Sequence, residues 1–220
     1  MINAEIVWLH DDPSRPCDDL KAGLSRTEQE TLASFTHPER RRSFLLSRVL
    51  LRQLLAKHLP VEAIHFTRTD KGRLALDGAL PMHLSLSHAD GCVAVMVCQQ
   101  PCGIDIEQQR IAAFEKVAAR YFSTAEKMTL AACPPAERAM LFFRLWTLKE
   151  ACVKALGEGL ANNMSRLSFD ISGNMPRLHD QHIGLQLWQT QITPLWWLAA
   201  AVKSGEKVNW TILQKNVASL

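Results

Sequence analysis

Gly103-Ile104-Asp105-Ile106-Glu107 is the stretch from which the rest of the chain is best read. Strand side chains alternate between two faces, so Ile104 and Ile106 share one face while Asp105 and Glu107 share the other. One apolar face beside one doubly acidic face predicts a strand that covers a core and lines a site at once. Gly103, with no side chain, permits another backbone to approach closely. Further on, Trp146-Thr147-Leu148-Lys149-Glu150-Ala151-Cys152-Val153-Lys154 reads as a helix. Trp146, Lys149, Glu150 and Lys154 stand at i, i+3, i+4 and i+8 and share one broad face. Phe142, Phe143, Leu145, Leu148 and Val153 leave that helix little solvated surface, and buried charges need partners. Asp105, Glu107 and Glu150, with lysines nearby, therefore predict a hard-cation site that handles a phosphorylated ligand. The competing reading of the helix is a solvated Glu150–Lys154 pair worth a few tenths of a kcal/mol.

Working outward, Ala4–His10 predicts a strand, and Ser25-Arg26-Thr27-Glu28 has the spacing of a capping box that opens a helix to about Phe35. Pro38 suits the first turn of a second helix reaching about His58. Strands are expected near Ala63–Thr69, Met82–Ser87 and Cys92–Gln99, separated by turn signals at Asp70-Lys71-Gly72, Asp77-Gly78 and Asp90-Gly91. After the Gly103–Glu107 strand, a helix is expected over Phe114–Phe122, and Ser123-Thr124-Ala125-Glu126 offers a second capping box. A long helix should run from Ala136 to Leu156 and end at Gly157. Strands are expected at Leu167–Ile171, Gly184–Gln191, Leu195–Val202 and Asn209–Gln214. Each half reads as helices followed by strands, which predicts an α+β protein of two lobes, residues 1–101 and 102–220, each an antiparallel sheet packed against a long helix.

Composition narrows the class. Hydrophobic residues at 47% and charged residues at 21% are those of a globular protein, and a net charge of +3 is too small to argue for nucleic acid. The most apolar late run, Leu195 to Val202, is too short to span a bilayer, and the N-terminus lacks the basic start and apolar run of a signal peptide. The six cysteines include no C-x-x-C pair, which argues against structural zinc and a disulfide framework and for the cytoplasm. Positive charge is nonetheless crowded into Arg40-Arg41-Arg42, Arg48 and Arg52. Arg41, Arg48 and Arg52 fall in a narrow stripe on a helix, flanked by Phe44, Leu45, Leu51 and Leu55. Spacing leaves two readings open: an anion site at a pocket edge, or arginines snorkelling at the rim of a core. Ser85 and Ser87 should point the same way on their strand, and His88 beside the turn reads either as a structural histidine or as a donor to phosphate; no G-x-S-x-G elbow accompanies them.

The combination G-I-D-I-E, then W-T-L-K-E-A-x-x-K, with Ser87-His88 upstream, resembles the larger, Sfp-type 4′-phosphopantetheinyl transferases over roughly Lys71 to Leu160. The resemblance implies two similar lobes related by a pseudo-twofold axis, a monomer, and coenzyme A bound between the lobes. It implies Mg²⁺ (or Mn²⁺) held by Asp105, Glu107 and Glu150, with Lys149 and Lys154 on the phosphates of coenzyme A. Ser87 and His88 would meet the nucleotide 3′-phosphate, Lys71 would act from its turn, and Arg41 and Arg48 would lie on the helix whose arginines meet the nucleotide. Glu126 matches an acidic position near the metal. Leu74, Ser85 and Ala89 depart from a proline, an asparagine and a serine frequent in the family.

What this implies is Mg²⁺-dependent transfer of 4′-phosphopantetheine from coenzyme A to a serine of an apo carrier protein (acyl, peptidyl or aryl), releasing 3′,5′-ADP. Glu150 is the expected general base, with Asp105 and Lys154 as its catalytic neighbours. Two alternatives are a Mg²⁺-dependent nucleotide pyrophosphate hydrolase, in which water replaces the carrier serine, and a non-catalytic coenzyme A-binding protein.

Overall fold

The computed structural model describes residues 1–78, 80–110, 114–157 and 164–220. In chain order the elements are β1 (Ile2–His10), α1 (Arg26–Ser34), α2 (Pro38–Leu55), β2 (Phe66–Arg68), β3 (Leu74–Leu76), β4 (His83–Ala89), β5 (Cys92–Cys98) and β6 (Cys102–Gln108). They continue with α3 (Glu115–Tyr121), α4 (Thr124–Ala132), α5 (Pro135–Leu156), β7 (Phe169–Asp170), β8 (Arg177–Leu178), β9 (Leu185–Thr193), β10 (Trp196–Lys203) and β11 (Val208–Lys215). Both expected capping boxes form: the Ser25 and Ser123 hydroxyls accept from the amides of Glu28 and Glu126, whose carboxylates reach back to the serine amides.

Two main sheets organise the molecule, in the orders β11-β1-β5-β4 and β6-β10-β9. Period-two alternation explains how they stack. Val93, Val95 and Val97 of β5 face Leu46, Leu50 and Leu54 of α2 on the outer side of the first sheet. Ala94 and Met96 of β5 instead meet Ile104 and Ile106 of β6 and Leu198 and Ala200 of β10 in a core between the sheets. Beyond it, Ala199 and Ala201 of β10 face Leu148 and Cys152 of α5. The layers are thus helix, sheet, sheet, helix, and the inner strands read as nearly unbroken apolar runs because both of their faces are covered. Among the described residues no helix is long and apolar enough to cross a membrane.

Three expectations need correction. The first sheet is mixed rather than antiparallel, because β11 pairs with β1 in parallel register, Ile2 opposite Val208 and Leu9 opposite Lys215. Residues 208–215 thus complete the sheet that holds β1, β5 and β4. The strand expected at Leu167–Ile171 shrinks to Phe169–Asp170, and the turn at Lys71-Gly72 closes a small hairpin, β2–β3, whose second strand the turn signals alone did not reveal.

Candidate active site

At Gly103 β6 and α5 approach so closely that an added Cβ would lie 2.0 Å from the Ala151 carbonyl oxygen and 2.5 Å from the Ala155 nitrogen. No side chain fits there, and the approach brings the acidic face of β6 against the Glu150–Lys154 turn of α5. Lys154 Nζ donates to Asp105 Oδ1 at 2.8 Å and to the Ile104 carbonyl at 2.9 Å. Trp146 Nε1 donates to Glu107 Oε1 at 3.3 Å. Burial, reinforced by the charge of Asp105, pushes both Glu107 and Glu150 up to about 7. Asp105, Glu107 and Glu150 are brought together, in mutual repulsion.

Beside this acidic group lies a cleft of about 540 Å³ whose lining is basic and aromatic, with Arg40, Arg48, Arg68, Arg73, His88 and Lys154 around Phe35 and Phe44 and, among the described residues, no acidic side chain. On α2, Arg40, Phe44, Ser47 and Arg48 stand at i, i+4, i+7 and i+8, which is one helix face. Arg48 is buried, its guanidinium 4.6 Å from the Phe44 ring centroid and 5.3 Å from that of Phe66. Burial lowers its pKa to about 10 despite the attraction of Glu28, so it stays charged at neutral pH. Burial and the cations Lys154 and Arg40 hold the His88 imidazole below the usual histidine range, so it serves as a neutral donor. An adjoining cavity of about 500 Å³, sharing Arg73, Leu74 and Leu84 with the cleft, is lined by Lys71, His83 and Gly157. A small-molecule site this rich in fixed cations is built for a polyanion.

Several residues stand elsewhere than expected. Lys149 does not reach the cleft: it is fully buried, and its ammonium donates to Glu126 Oε2 at 2.8 Å, to the Met164 carbonyl at 2.8 Å and to the Leu167 carbonyl. Five helical residues separate it from Lys154, a rotation of roughly 140°, so the two lysines leave α5 on different sides. Glu126 belongs to that internal pair, accepting also from the Ser123 and Phe169 amides, and not to the acidic group. Arg41 pairs with Asp18 at 3.1 Å outside the cleft, about 100° around the helix from Arg40, the cleft residue that the stripe of arginines missed. Arg52 turns to Glu28. Lys71 lines the adjoining cavity and donates to the Gly157 carbonyl at 2.8 Å, at the C-terminus of α5. Ser87 is buried, and its hydroxyl donates to Asp105 Oδ1 at 2.8 Å instead of facing the cleft.

Among the described residues, no three His, Cys, Asp or Glu side chains form a ready cation cage, Lys154 already neutralising Asp105. The chemistry of the group nevertheless fits a divalent cation. Asp105 Oδ2 is buried without a partner, and burial, reinforced by the charge of Asp105, raises the two further carboxylates beside it to about 7, a penalty on their charged forms that a cation would relieve.

Comparison with known proteins agrees with this geometry. A family model described as the 4′-phosphopantetheinyl transferase superfamily matches residues 101–202, the stretch that carries β6 and α5. The chain is 35% identical to 4′-phosphopantetheinyl transferase HetI of Nostoc sp. over 159 residues, covering 69% of this chain and 67% of that protein. It is 31% identical to 4′-phosphopantetheinyl transferase Sfp of Bacillus subtilis, covering 74% of this chain and 76% of the relative. Against 4′-phosphopantetheinyl transferase psf-1 of Bacillus pumilus the identity is 30%, over 86% and 87%. The chain belongs to the 4′-phosphopantetheinyl transferase superfamily. In this transferase the matched segment ends with β10, so β11, which completes the first sheet, lies beyond the stretch matched by the family model.

Proposed function

We propose that this transferase moves 4′-phosphopantetheine from coenzyme A to a serine of an apo carrier protein, releasing 3′,5′-ADP. The observation that carries the reading is the junction of a cation-lined cleft with three interacting carboxylates at one edge, joined by Lys154, which belongs to both. The cleft cations Arg40, Arg48 and Arg73, with His88 as a neutral donor, would hold the nucleotide phosphates, with Phe35 and Phe44 as apolar walls. Asp105, Glu107 and Glu150 would hold Mg²⁺, which when bound supplies Lewis-acid stabilisation of charge on the pyrophosphate oxygens. Lys154 adds a fixed positive charge at the same oxygens. The carrier serine oxygen forms its bond to the β-phosphorus, the bond from that phosphorus to the bridging oxygen breaks, and the serine proton passes to Glu150.

The two halves resemble one another locally, which supports a pseudo-twofold arrangement about a boundary near Pro101. Each half has a capping-box helix, then a long helix opened by a proline, and the capping-box glutamate grips a cation of the long helix. In the first half Glu28 takes Arg52; in the second Glu126 takes Lys149. We read the protein as a monomer acting in the cytoplasm, where its free cysteines would persist.

Incubating the protein with coenzyme A, Mg²⁺ and candidate apo carriers, followed by intact-mass spectrometry, tests the reading. A mass gain of one phosphopantetheine on the carrier is the expected result. Release of 3′,5′-ADP without any carrier would favour the hydrolase instead, and binding without turnover would favour a coenzyme A-binding protein.

A further inference from the structure

β4 and β6 are edge strands of different sheets, and they meet side by side without forming a ladder. Two serines bridge the seam. Ser85 Oγ accepts from the Ile104 amide at 3.1 Å, and Ser87 Oγ donates to Asp105 Oδ1 at 2.8 Å. Register explains why both point there: Ser85 and Ser87 lie opposite Met96 and Ala94 of β5, on the face turned toward the second sheet, whereas Leu84 and Leu86 lie opposite Val97 and Val95 on the face toward α2. A carboxylate oxygen only accepts, and a serine has a single O–H, so the proton of Ser87 is committed to Asp105. The same Oδ1 receives Lys154 Nζ at 2.8 Å, leaving Oδ2 as the one buried Asp105 oxygen without a partner.

We propose that Ser87 is a positioning residue for the cation site, acting through Asp105: by fixing Oδ1 from across the seam it presents Oδ2 as a ligand to a divalent cation. A phosphate oxygen accepts hydrogen bonds, and Ser87 has no second proton to give one. This assignment rests on the transferase reading and its divalent cation. It also makes the cation site a joint product of the two sheets, since β4 supplies the donor, β6 the ligand and α5 the counter-charge.

The test uses the full chain, with Mn²⁺ binding followed by electron paramagnetic resonance and adenosine 3′,5′-bisphosphate binding followed by calorimetry in a chelator. Ser87→Ala should weaken Mn²⁺ binding about tenfold, the low end of what losing an outer hydrogen-bond partner of a metal ligand costs, while Ser87→Thr, which keeps the hydroxyl, stays within about threefold of wild type. Ser87→Cys, close in size but a weak donor, should fall with alanine and carries the test if the alanine variant does not fold. Nucleotide affinity without metal should be the same in all of them. Equal Mn²⁺ affinity in wild type and Ser87→Cys would overturn the assignment, as would loss of metal-free nucleotide binding in the cysteine variant, the signature of a phosphate ligand. Absence of Mn²⁺ binding by the wild type is a separate outcome, which would overturn the cation reading itself and this assignment with it.

Discussion

Glu28 and Glu126 close equivalent capping boxes at the starts of α1 and α4, and each then reaches a cation on the long helix that follows. At Glu126 the arrangement is complete. Lys149 spends its three protons on Glu126 and two carbonyls, and the glutamate accepts from two amides as well. At Glu28 it is incomplete. Arg52 takes Oε2 with two donors, but Arg48 Nε stops 3.4 Å from Oε1, and both atoms are buried without a hydrogen bond. The complete pair faces the protein interior, whereas the incomplete one borders the basic cleft. Within α5 the contrast recurs, because Lys149 closes a core while Lys154 leaves Asp105 half satisfied at the acidic group. Unfinished polar groups mark where this molecule meets its ligands, and finished ones mark where it holds itself together.

The largest effect that would test this contrast is on the unfinished side. Asp105→Ala should reduce transfer to a carrier about a thousandfold or more while leaving the far-UV circular dichroism unchanged, and near-normal transfer by this variant would remove the basis for assigning the acidic group to catalysis. On the finished side, Lys149→Met strands the Glu126 charge in the interior and should cost about 3–5 kcal/mol in urea unfolding. Replacing both partners, Glu126→Leu with Lys149→Met, should recover much of that loss; if it recovers none, the pair does more than satisfy itself.

A smaller effect concerns pH. Glu107 and Glu150 sit near 7 in the fold and near the ordinary 4.5 once unfolded. Between those values the folded chain binds more protons than the unfolded one, so rising pH takes stability away across about pH 4.5 to 7. Without metal, this pair should make the thermal midpoint decline over that window, and added Mg²⁺ should raise the midpoint more at about pH 8 than at about pH 5.5. A Mg²⁺ effect independent of pH would contradict the repulsion described at this group. The smallest change is Trp146→Phe, which removes the donor to Glu107 but keeps the ring stacked on Phe142. It should slow transfer only severalfold, the net contribution of a typical hydrogen bond being about 0.5–1.5 kcal/mol.

Much of this was legible in the sequence where the signal is local. The alternation in Gly103–Glu107, both capping boxes and the proline start of α2 are rules about neighbours a few residues apart, and each produced the expected element. Helix angle alone separates Arg40 from Arg41 and Lys149 from Lys154, but it does not say which side meets the cleft. That depends on what packs against the helix: Glu126 and the Met164–Leu167 carbonyls claim Lys149, and Asp18 claims Arg41. Ser87 was readable as pointing with Ser85, yet nothing within β4 announces that β6 lies opposite. The parallel pairing of β11 with β1 links residues from the two ends of the sequence and leaves no periodicity that could reveal it.

That pairing has a consequence for how the chain acquires its structure. β1 is an interior strand, with β5 on one side and β11 on the other, and until residues 208–215 dock its outer edge is an open row of amides and carbonyls. Contacts of such long sequence separation form late and slowly, after the local helices and the β4–β5 hairpin. A fragment ending near residue 101 would carry that edge uncovered and should associate with itself. Maturation of the first sheet therefore waits on β11, the strand farthest along the sequence from the β1 edge it covers.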